Sequence, residues 1–594
     1  MLIAIDRFDG EIPRMGEKLL PATASRAAIN TRLYSGELQA WYSPLQVLSA
    51  PVTGNPVQSI YRFGRSRAPS DFEYWTVSQD DVDFALPPVA DNTDERTYYT
   101  DGVRPKVTTY AMAISNPASV PTDYYWLGIP KPADLVSAVV SGAVGVDTET
   151  RVYVYTYVNS FGEEGQPSEP VTVTWTTGQT TTLTFPTFSV DAKYHIAGIR
   201  VYRSFSSSID ASDYLLVNTT ADLATSTVTY ADTIDYAALG EALATIGYDL
   251  PPDELRGILA LPNGVMAGFL RNELCLSEAF QPFAWPERYR LTVDTEIVGI
   301  GAIGQDVVIV TKGEPHVATG SDPSNYTATK LPLPQAGTSK RAIIATGGSV
   351  VYTSPDGLVE VTAGAPSVLT DRFFTRREWQ ALIPTTMRLA YHDNRILGFF
   401  KGYADDSGNT ETAVVGLAIV GLAVVGVGDF QDRAIAGQAI AGRAVAGRVA
   451  SSYIEGGFVF DPRSETSGWT ELDYYADAVY IDLQRDALYL YVNGAIVKFD
   501  SSVSRDSYTW RSKKFVLPYP TNLGAAIIDA VSYNDLTFNL YVDGELKATR
   551  AVVNREPFRL PSGFKGRDVE IELVGSDTVQ RVHVSNTIQE LRTA

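Results

Sequence analysis

Short segments of alternating residues, separated by tight turns, are the sequence feature that most constrains the fold of this chain. The segment RVYVYTYV at 151–158 places valine or threonine on one face and tyrosine on the other. A period of two residues is that of a β-strand with two distinct faces. A turn at 159–166 and a second strand-like segment at 171–175 follow, and such segments recur about every 8–12 residues, as in β-sandwiches. The sequence therefore predicts a mainly β protein.

The length of the chain predicts several domains. At about 150 residues per domain, 594 residues exceed one fold, and 33 Tyr, 47 Gly and 33 Pro with few helix-like patterns agree with short strands and many turns. We predict an N-terminal docking or platform region at 1–130, a sandwich module at 131–250, a β-propeller-like body at 251–510 and a β-rich C-terminal region at 511–594.

The sandwich module carries a recognisable string of residues. Between 153 and 170 the chain reads Tyr-x-Tyr-x-x-Val-Asn, then Gly-Glu-Glu, then Pro-Ser-Glu-Pro. This string resembles that of fibronectin type III modules. The resemblance implies a fibronectin type III-like sandwich over 131–250.

Repeated strand–turn–strand units predict the propeller-like body. Buried-type strands flank turn residues such as Asn263-Gly264, Asp356-Gly357 and Asn493-Gly494, which favour tight reversals. Units of this size follow one another about five times, as in β-propeller blades. Their divergence leaves the number of blades open.

Longer motifs in this body resemble one family. They are Leu-Pro-Asn-Gly at 261–264, Ser-Glu-x-x-x-Pro-x-x-Trp-Pro at 277–286, Thr-x-Gly-x-Pro at 311–315 and Tyr-x-Ser-Pro-Asp-Gly-Leu at 352–358. In this order, with the opening at 20–38 and the strand that begins at Trp510, they resemble the tail nozzle (tail tubular protein B-like) proteins of short-tailed bacteriophages.

The resemblance implies a structural virion protein. Nozzle proteins form a homohexamer below the portal and adaptor rings, extend the DNA channel, and retain the genome until it is ejected. We therefore expect the virion tail as location, assembly in the host cytoplasm, and no cofactor. The expected partners are the adaptor ring, tail fibres or spikes, passing DNA without sequence-specific binding, and the host outer membrane. Which residues dock the adaptor is unknown.

Charge and cysteine content agree with this expectation. A formal net charge of −21 opposes a protein that grips DNA phosphates, because such binding needs Lys and Arg. Six copies would bring about −126 charges, and we hypothesise a negative channel through which DNA slides. One cysteine, Cys275, permits no internal disulfide and fits a reducing cytoplasm. The chain has neither a signal-peptide pattern nor an apolar run of about 20 residues.

The sequence lacks the common catalytic motifs, and we predict that the chain is not an enzyme. Its four histidines, at 195, 316, 392 and 583, have no metal-ligand spacing. Neither a Gly-x-Ser-x-Gly elbow nor a phosphate-binding loop is present. Acidic runs such as Asp80-Asp81-x-Asp83 and Glu163-Glu164 could supply a catalytic pair, and Asp80, Asp81 and Asp83 could bind calcium, but we interpret these acidic loops as solvated. Cys275 is predicted to be a buried small apolar residue.

The segment 411–452 departs from the family pattern. Glycines recur every five residues at 416, 421 and 426 and again at 437, 442 and 447, a period that matches neither helix nor strand. Two equal arms predict a hairpin that projects from the propeller between strands near 396–400 and 457–460. A pentapeptide-repeat coil and a low-complexity insertion are the alternatives. The residues that would form the channel gate or distal tip are Val427, Gly428, Asp429, Phe430, Gln431 and Asp432.

Two other functions remain open from the sequence. One is a receptor- or glycan-binding protein of the tail tip. The other is a glycan-degrading tailspike. Tailspikes usually have long regular solenoid repeats, and only the short segment 411–452 is similar to such a repeat.

Overall fold

A computed structural model describes residues 2–64, 74–88, 95–115, 120–204, 213–218, 222–363, 365–403, 453–463 and 468–593. The N-terminal elements are β1 (Leu2–Ile5), β2 (Ser25–Ile29), β3 (Thr31–Arg32), β4 (Gln39–Ala40), β5 (Leu45–Ser49), β6 (Ser59–Phe63), β7 (Tyr74–Ser78), β8 (Asp83–Ala85), β9 (Thr97–Thr100), β10 (Lys106–Thr108), α1 (Tyr110–Ser115) and β11 (Tyr125–Trp126). Only β6–β7, β3–β4 and β8–β11 pair within this part; β1, β2 and β5 pair with strands far along the chain.

The next module is a two-sheet sandwich. Its strands are β12 (Ser137–Ser141), β13 (Thr148–Asn159), β14 (Val171–Thr176), β15 (Thr180–Thr184), β16 (Ile196–Ser204), β17 (Tyr214–Leu216), β18 (Leu223–Ala224) and β19 (Thr229–Asp232). One sheet has the order β12-β15-β19, and the other has the order β14-β13-β16-β17 with β18 against β16. The tyrosine face of β13 packs into the core with Leu183 and Val201, as expected for a fibronectin type III-like sandwich.

The central body contains nineteen strands and one helix in its described residues. They are β20 (Arg256–Ala260), β21 (Met266–Leu270), β22 (Glu273–Leu276), β23 (Leu291–Thr292), β24 (Ile297–Ile303), β25 (Asp306–Thr311), β26 (His316–Thr319), β27 (Thr327–Lys330), β28 (Ile343–Ala345), β29 (Val350–Thr353), β30 (Leu358–Val361), β31 (Pro366–Val368), α2 (Arg376–Ala381), β32 (Arg388–His392), β33 (Arg395–Tyr403), β34 (Tyr453–Phe460), β35 (Trp469–Leu472), β36 (Ala478–Asp482), β37 (Ala487–Val492) and β38 (Ala495–Lys498).

These strands form the blades of a propeller-like body. Blade 1 is β8–β11, blade 2 is β20–β23, blade 3 is β24–β27, blade 4 is β28–β31, blade 5 is β32–β35, and blade 6 is β36–β38 with β5 as its outer strand. The first strand of each blade lines one axial cavity together with β6. Consecutive inner strands pack side by side from β20 to β36, while β6 packs against β36 and β8 packs against β20. The β6–β7 hairpin thus fills the gap between blades 6 and 1.

Apolar residues between the blades hold them face to face. In blade 5 the rings of Trp469 and Phe458 stack with centroids 4.1 Å apart, and Phe374 packs edge-on against Trp469. Gly398 in β33 permits this packing, because a Cβ atom there would lie 2.1 Å from the Phe458 ring. Close-packed interfaces of this kind resist any added volume.

The C-terminal region is a second sandwich that the N-terminus completes. It contains β39 (Tyr508–Ser512), β40 (Phe515–Thr521), β41 (Ala525–Ala530), β42 (Leu536–Val542), β43 (Glu545–Ala551), β44 (Phe558–Arg559), β45 (Gly566–Gly575), β46 (Val579–Ser585) and α3 (Ile588–Thr593). β1 pairs antiparallel with β46, and β2 pairs antiparallel with β39. β2 also pairs with β35 of blade 5, so blade 5 and one sheet of this sandwich form a single ten-stranded sheet.

The fold class predicted from the sequence is confirmed: the protein is mainly β, with a fibronectin type III-like sandwich, a propeller-like body and a β-rich C-terminal part. The predicted range 251–510 contains five of the six blades, and the range 1–130 contains the remaining one, which the sequence analysis did not identify. The two strands expected to flank the glycine-rich segment are present as β33 and β34, which pair antiparallel as far as Tyr403 and Tyr453.

Two buried carboxyl groups lie where blade 5 joins the C-terminal sandwich. Glu11 accepts a 2.6 Å hydrogen bond from the backbone N–H of Ala28, and Glu471 lies on β35 beside β2. Burial raises the pKa of Glu11 well above its ordinary value of 4.5, and the Glu471 carboxylate raises it further. Burial also raises the pKa of Glu471. The folded chain therefore retains protons here that the unfolded chain releases.

Protonation of Glu11 predicts a pH-dependent stability. A group with a raised pKa destabilises the fold increasingly as the pH rises above its unfolded value. Glu11→Gln removes this ionisation and retains an oxygen acceptor for Ala28, so the Tm of the variant relative to the wild type should increase between about pH 5 and about pH 8. Thermal unfolding followed by circular dichroism measures the difference.

Glu17→Gln is the matched control for this experiment. Burial alone would raise the pKa of Glu17, but Lys514 and Arg26 outweigh it and the pKa is lowered. The relative Tm of Glu17→Gln should therefore fall as the pH rises, opposite to Glu11→Gln. A Tm difference for Glu11→Gln that does not change with pH would contradict the assignment.

Candidate functional site at the propeller axis

The axial cavity of the propeller-like body has a volume of about 400 Å³ and is lined by the inner strands of all six blades. Its wall combines aromatic rings from Tyr61, Phe84 and Tyr480 with the charged side chains of Asp83, Lys340 and Arg341. Tyr61 and Phe84 stack with centroids 4.4 Å apart. Side chains therefore fill much of the axis.

Four charged side chains form the centre of this site, which we call the axial cluster: Asp81, Asp83, Lys340 and Arg341. Lys340 and Arg341 lie in a single 3-10 turn immediately before β28, the inner strand of blade 4. Lys340 Nζ lies 2.9 Å from Asp81 Oδ2 and 2.5 Å from Asp83 Oδ2. Arg341 pairs with both carboxylates as well. The cluster joins the start of blade 1 to blade 4 across the axis.

Backbone and hydroxyl groups complete the axial cluster. Asp83 Oδ2 accepts a 2.8 Å hydrogen bond from the N–H of Gly257 on blade 2. Arg341 Nη2 donates 3.0 Å bonds to Ser59 Oγ on β6 and to the Val82 carbonyl. Burial alone would raise the pKa of Asp81, but Arg341 and Lys340 outweigh it, and the pKa is lowered. Each charged group of the cluster therefore has a partner of opposite sign within the protein.

This arrangement opposes both a catalytic carboxylate pair and a calcium site at Asp80, Asp81 and Asp83. Asp81 and Asp83 come together, but Lys340 and Arg341 occupy the space between them. Asp80 is exposed, and its carbonyl accepts a hydrogen bond from Ser59. Among the residues that the structure describes, no group of three or more His, Cys, Asp or Glu side chains could hold a metal ion. We interpret the aspartates as ion-pair partners rather than solvated loop residues.

A second ion pair closes the propeller on its other side. Arg62 of β6 and Asp482 at the end of β36 pair with both side chains fully buried. The backbone N–H of Gln484 donates a 3.1 Å bond to Asp482 Oδ1. Around the pair, Trp75 and Tyr489 have ring centroids 4.8 Å apart. The β6–β7 hairpin is thereby attached to blade 6.

Breaking this pair should destabilise the propeller-like body. Asp482→Asn removes the carboxylate that pairs with the buried Arg62 guanidinium, and breaking a buried pair costs about 3–5 kcal/mol. Denaturant unfolding followed by tryptophan fluorescence measures the loss. Asp371→Asn is the control, because Asp371 pairs with Arg14 at the surface, where the side chains are 81% and 47% exposed, and should cost less than about 1 kcal/mol. Equal losses in the two variants would contradict a structural role for the buried pair.

A serine and a histidine lie within hydrogen-bond distance in the fibronectin type III-like module. Ser160 Oγ is 2.7 Å from His195 Nδ1, and the His195 ring stacks on Tyr125 at 3.7 Å. His195 also has a left-handed backbone, with φ of 41°. Burial, together with the positive charge of Arg96, lowers the pKa of His195 to about 4. The imidazole is therefore neutral near pH 7.

The surrounding hydrogen bonds assign the tautomer of His195. Asn159 Oδ1 accepts from the N–H groups of Phe161 and Glu163, so its Nδ2 is the donor, to Glu163 Oε2 at 2.7 Å and to His195 Nε2 at 3.4 Å. Since Nε2 accepts, the proton is on Nδ1, which donates to Ser160 Oγ. In this tautomer the imidazole cannot take the serine proton, and a nucleophilic serine requires that transfer. The pair holds the turn at 159–166 in place.

The remaining predicted residues occupy structural positions or lie outside the described residues. Cys275 is buried in β22, as predicted, and burial raises its pKa to about 12. His583 Nε2 lies 2.7 Å from Asp6 Oδ1, and His316 Nε2 lies 3.4 Å from Asp294 Oδ1. The gate or tip candidates at 427–432 fall in 404–452, outside the described residues, so their role stays a prediction.

The axial cluster and the Arg62–Asp482 pair were not predicted. Their partners are separated by 257 and 420 residues, so no local spacing could indicate them. The one available signal was the acidic run Asp80-Asp81-x-Asp83, which comes immediately before and at the start of β8. None of the helices within the described ranges is long and apolar enough to cross a membrane.

Comparisons with known proteins return distant structural matches. No protein-family model and no curated protein matches the sequence. The exo-β-1,3-galactanase of Phanerochaete chrysosporium with galactose matches at 8% identity and a TM-score of 0.18, over 55% of this chain and 95% of that one. The Cps50 (Swd1) β-propeller domain of Myceliophteria thermophila matches at 9% identity and 0.20, over 51% and 93%. PorZ of the Porphyromonas gingivalis type-IX secretion system matches at 10% identity and 0.23, over 90% and 82%.

These matches correct one prediction. The absence of common catalytic motifs predicted that the chain is not an enzyme, whereas several of the matching solved structures are exo-β-1,3-galactanases. The prediction that the chain is not an enzyme was wrong, because residues that tertiary structure brings together leave no local motif, and the absence of motifs does not exclude an enzyme. TM-scores near 0.2 carry no argument about which activity, if any, this chain has.

Proposed function

We propose that this chain is a structural virion protein, the tail nozzle of a short-tailed bacteriophage, and that six copies form a ring that extends the DNA channel. The ring would lie below the portal and adaptor, carry tail fibres or spikes on its outside, retain the genome, and conduct it at infection. The resemblance of the ordered motifs at 261–264, 277–286, 311–315 and 352–358 is the basis of the proposal.

The contacts of these motifs support a scaffold role. Trp285 is buried and donates a 2.8 Å bond from Nε1 to the Pro282 carbonyl. Thr311 Oγ1 donates to the Glu314 carbonyl at 2.8 Å. The Ser354 N–H donates to the Gly357 carbonyl at 2.8 Å, and Gly357 has φ of 157°. Each motif thus builds a turn or connection within a blade, as expected of residues selected for shape.

The single observation of the structure that most favours this function is the narrow, partly filled axis of the propeller-like body. A cavity of about 400 Å³ closed by the axial cluster cannot admit a DNA duplex, whose major groove alone is about 12 Å wide. Each propeller-like body is then a solid wall element, and the DNA channel would lie between copies. At −21 per chain, walls of this kind would repel DNA phosphates and let DNA slide.

The assembled mass tests this proposal. We expect native mass spectrometry of tails released from the virion to show six copies of the 64.6 kDa chain in one ring, and electron microscopy to show the ring below the adaptor. Three copies, or a monomer in the mature particle, would contradict a nozzle. Release of sugar from host polysaccharide by the purified chain would instead favour the tail-tip or tailspike alternatives.

A further inference from the structure

The C-terminal sandwich carries a positively charged edge on a strongly acidic protein. Residues 545–567, the basic edge, contain six Lys or Arg and two Glu, a net charge of +4. Since the whole chain has −21, the rest of the chain carries −25. Asp and Glu outnumber Lys and Arg in the rest of the sequence, so the positive charge of the basic edge is a local property of this surface.

The basic edge is exposed and lies at the open side of both sheets of the sandwich. β43 and β44 are the terminal strands of their sheets in the described part of the chain. Arg550, Arg559 and Lys565 are exposed, and the described residues offer them no ion pair. In the same range Leu546 is 51% and Val553 69% exposed. A terminal strand with apolar and charged side chains is a surface that a partner covers in many assemblies.

A surface of opposite charge lies on the fibronectin type III-like module. Between Arg203 and Arg256 the sequence has nine Asp or Glu and no Lys or Arg. Asp232 is neutralised by the buried Arg203. Asp213, Asp235 and Glu241 are exposed. We call residues 213–218 and 222–246 the acidic face.

The acidic face also carries exposed apolar residues. Val228 is 62% and Ile246 59% exposed. The acidic face and the basic edge are both exposed in one chain, so neither covers the other within a single copy. Each has both features of a protein interface, namely charged residues for orientation and apolar residues to bury.

We propose that the basic edge of one copy binds the acidic face of the next copy. The inference rests on the proposed ring, because a contact between two different surfaces of identical chains is heterologous and closes into a ring when the rotation permits. The exposed Val553 and Leu546 favour a second copy over DNA as occupant, since they gain nothing from a DNA phosphate surface, and the acidic face of the same chain supplies the complementary charge. Opposite charges at this contact would also offset the repulsion between chains of −21.

Charge reversal on each surface, and on both together, tests the contact. The variants are Arg550→Glu with Arg559→Glu on the basic edge, and Asp235→Lys with Glu241→Lys on the acidic face. Each pair places like charges opposite one another, so we expect sedimentation velocity to show association of the full chain weakened at least tenfold, about 1.4 kcal/mol. The four-substitution variant restores opposite charges and should recover most of the association.

The control is Arg271→Glu with Arg377→Glu, which changes the charge equally at exposed positions of the propeller-like body. We expect it to associate as the wild type does. Circular dichroism confirms that each variant is folded, and raising the salt concentration should weaken wild-type association more than that of the basic-edge variant.

Several results would overturn the proposal. The first is a basic-edge variant that associates as strongly as the wild type. The second is a four-substitution variant that does not recover association. The third is a wild-type chain that stays monomeric at all concentrations. If the basic-edge variant lost binding to duplex DNA or anionic vesicles but still associated with itself as the wild type does, the basic edge would be a site for phosphate groups instead. If the virion contains hexamers but the charge-reversal variants associate as the wild type does, this contact is refuted and the nozzle proposal stands. Rescue by charge exchange in another oligomer would support the contact and refute the nozzle.

Discussion

Closure of the propeller-like body depends on charged side chains that meet from distant parts of the chain. The axial cluster joins Asp83 to Lys340, and the buried pair joins Arg62 to Asp482, across 257 and 420 residues of sequence. Arg62 lies in β6, which packs against blade 6, and Asp83 lies in β8, the first strand of blade 1. The blades do not by themselves determine where the ring ends. The contacts at the junction between the first and last blades therefore determine whether the ring is closed.

The N-terminal segment has the same function for the other sheets. β1 and β2 complete the C-terminal sandwich, and β5 is the outer strand of blade 6. Without these strands, the strands that they pair with would have an unpaired edge. The first fifty residues therefore link elements that are formed last during synthesis, and the propeller-like body and C-terminal sandwich depend on them together. This physical linkage also places Glu11 and Glu471 at a dry junction, where burial and like charge raise their pKa values.

Surface charge and the filled axis point to one kind of role. Buried Arg62 and Arg203 are neutralised by carboxylates, whereas the exposed charge is unevenly divided between the acidic face at 213–218 and 222–246 and the basic edge at 545–567. Such a division orients identical copies relative to one another more than it stabilises one copy. A propeller-like body whose axis is too narrow for DNA, in a chain with two surfaces of opposite charge, is consistent with a wall element in an assembly, which is the function proposed for this chain.

The sequence by itself determined the mainly β class, the fibronectin type III-like module, and the strands on either side of the 411–452 segment, because period and turn chemistry are local properties of the chain. It missed blade 1, whose strands β8, β10 and β11 have only two or three residues each, too few for a period to be visible. Only the tertiary structure decided how the blades close, which carboxylates are paired, and which proton His195 carries. Those outcomes depend on contacts between residues hundreds of positions apart, and no local pattern encodes the distance between them.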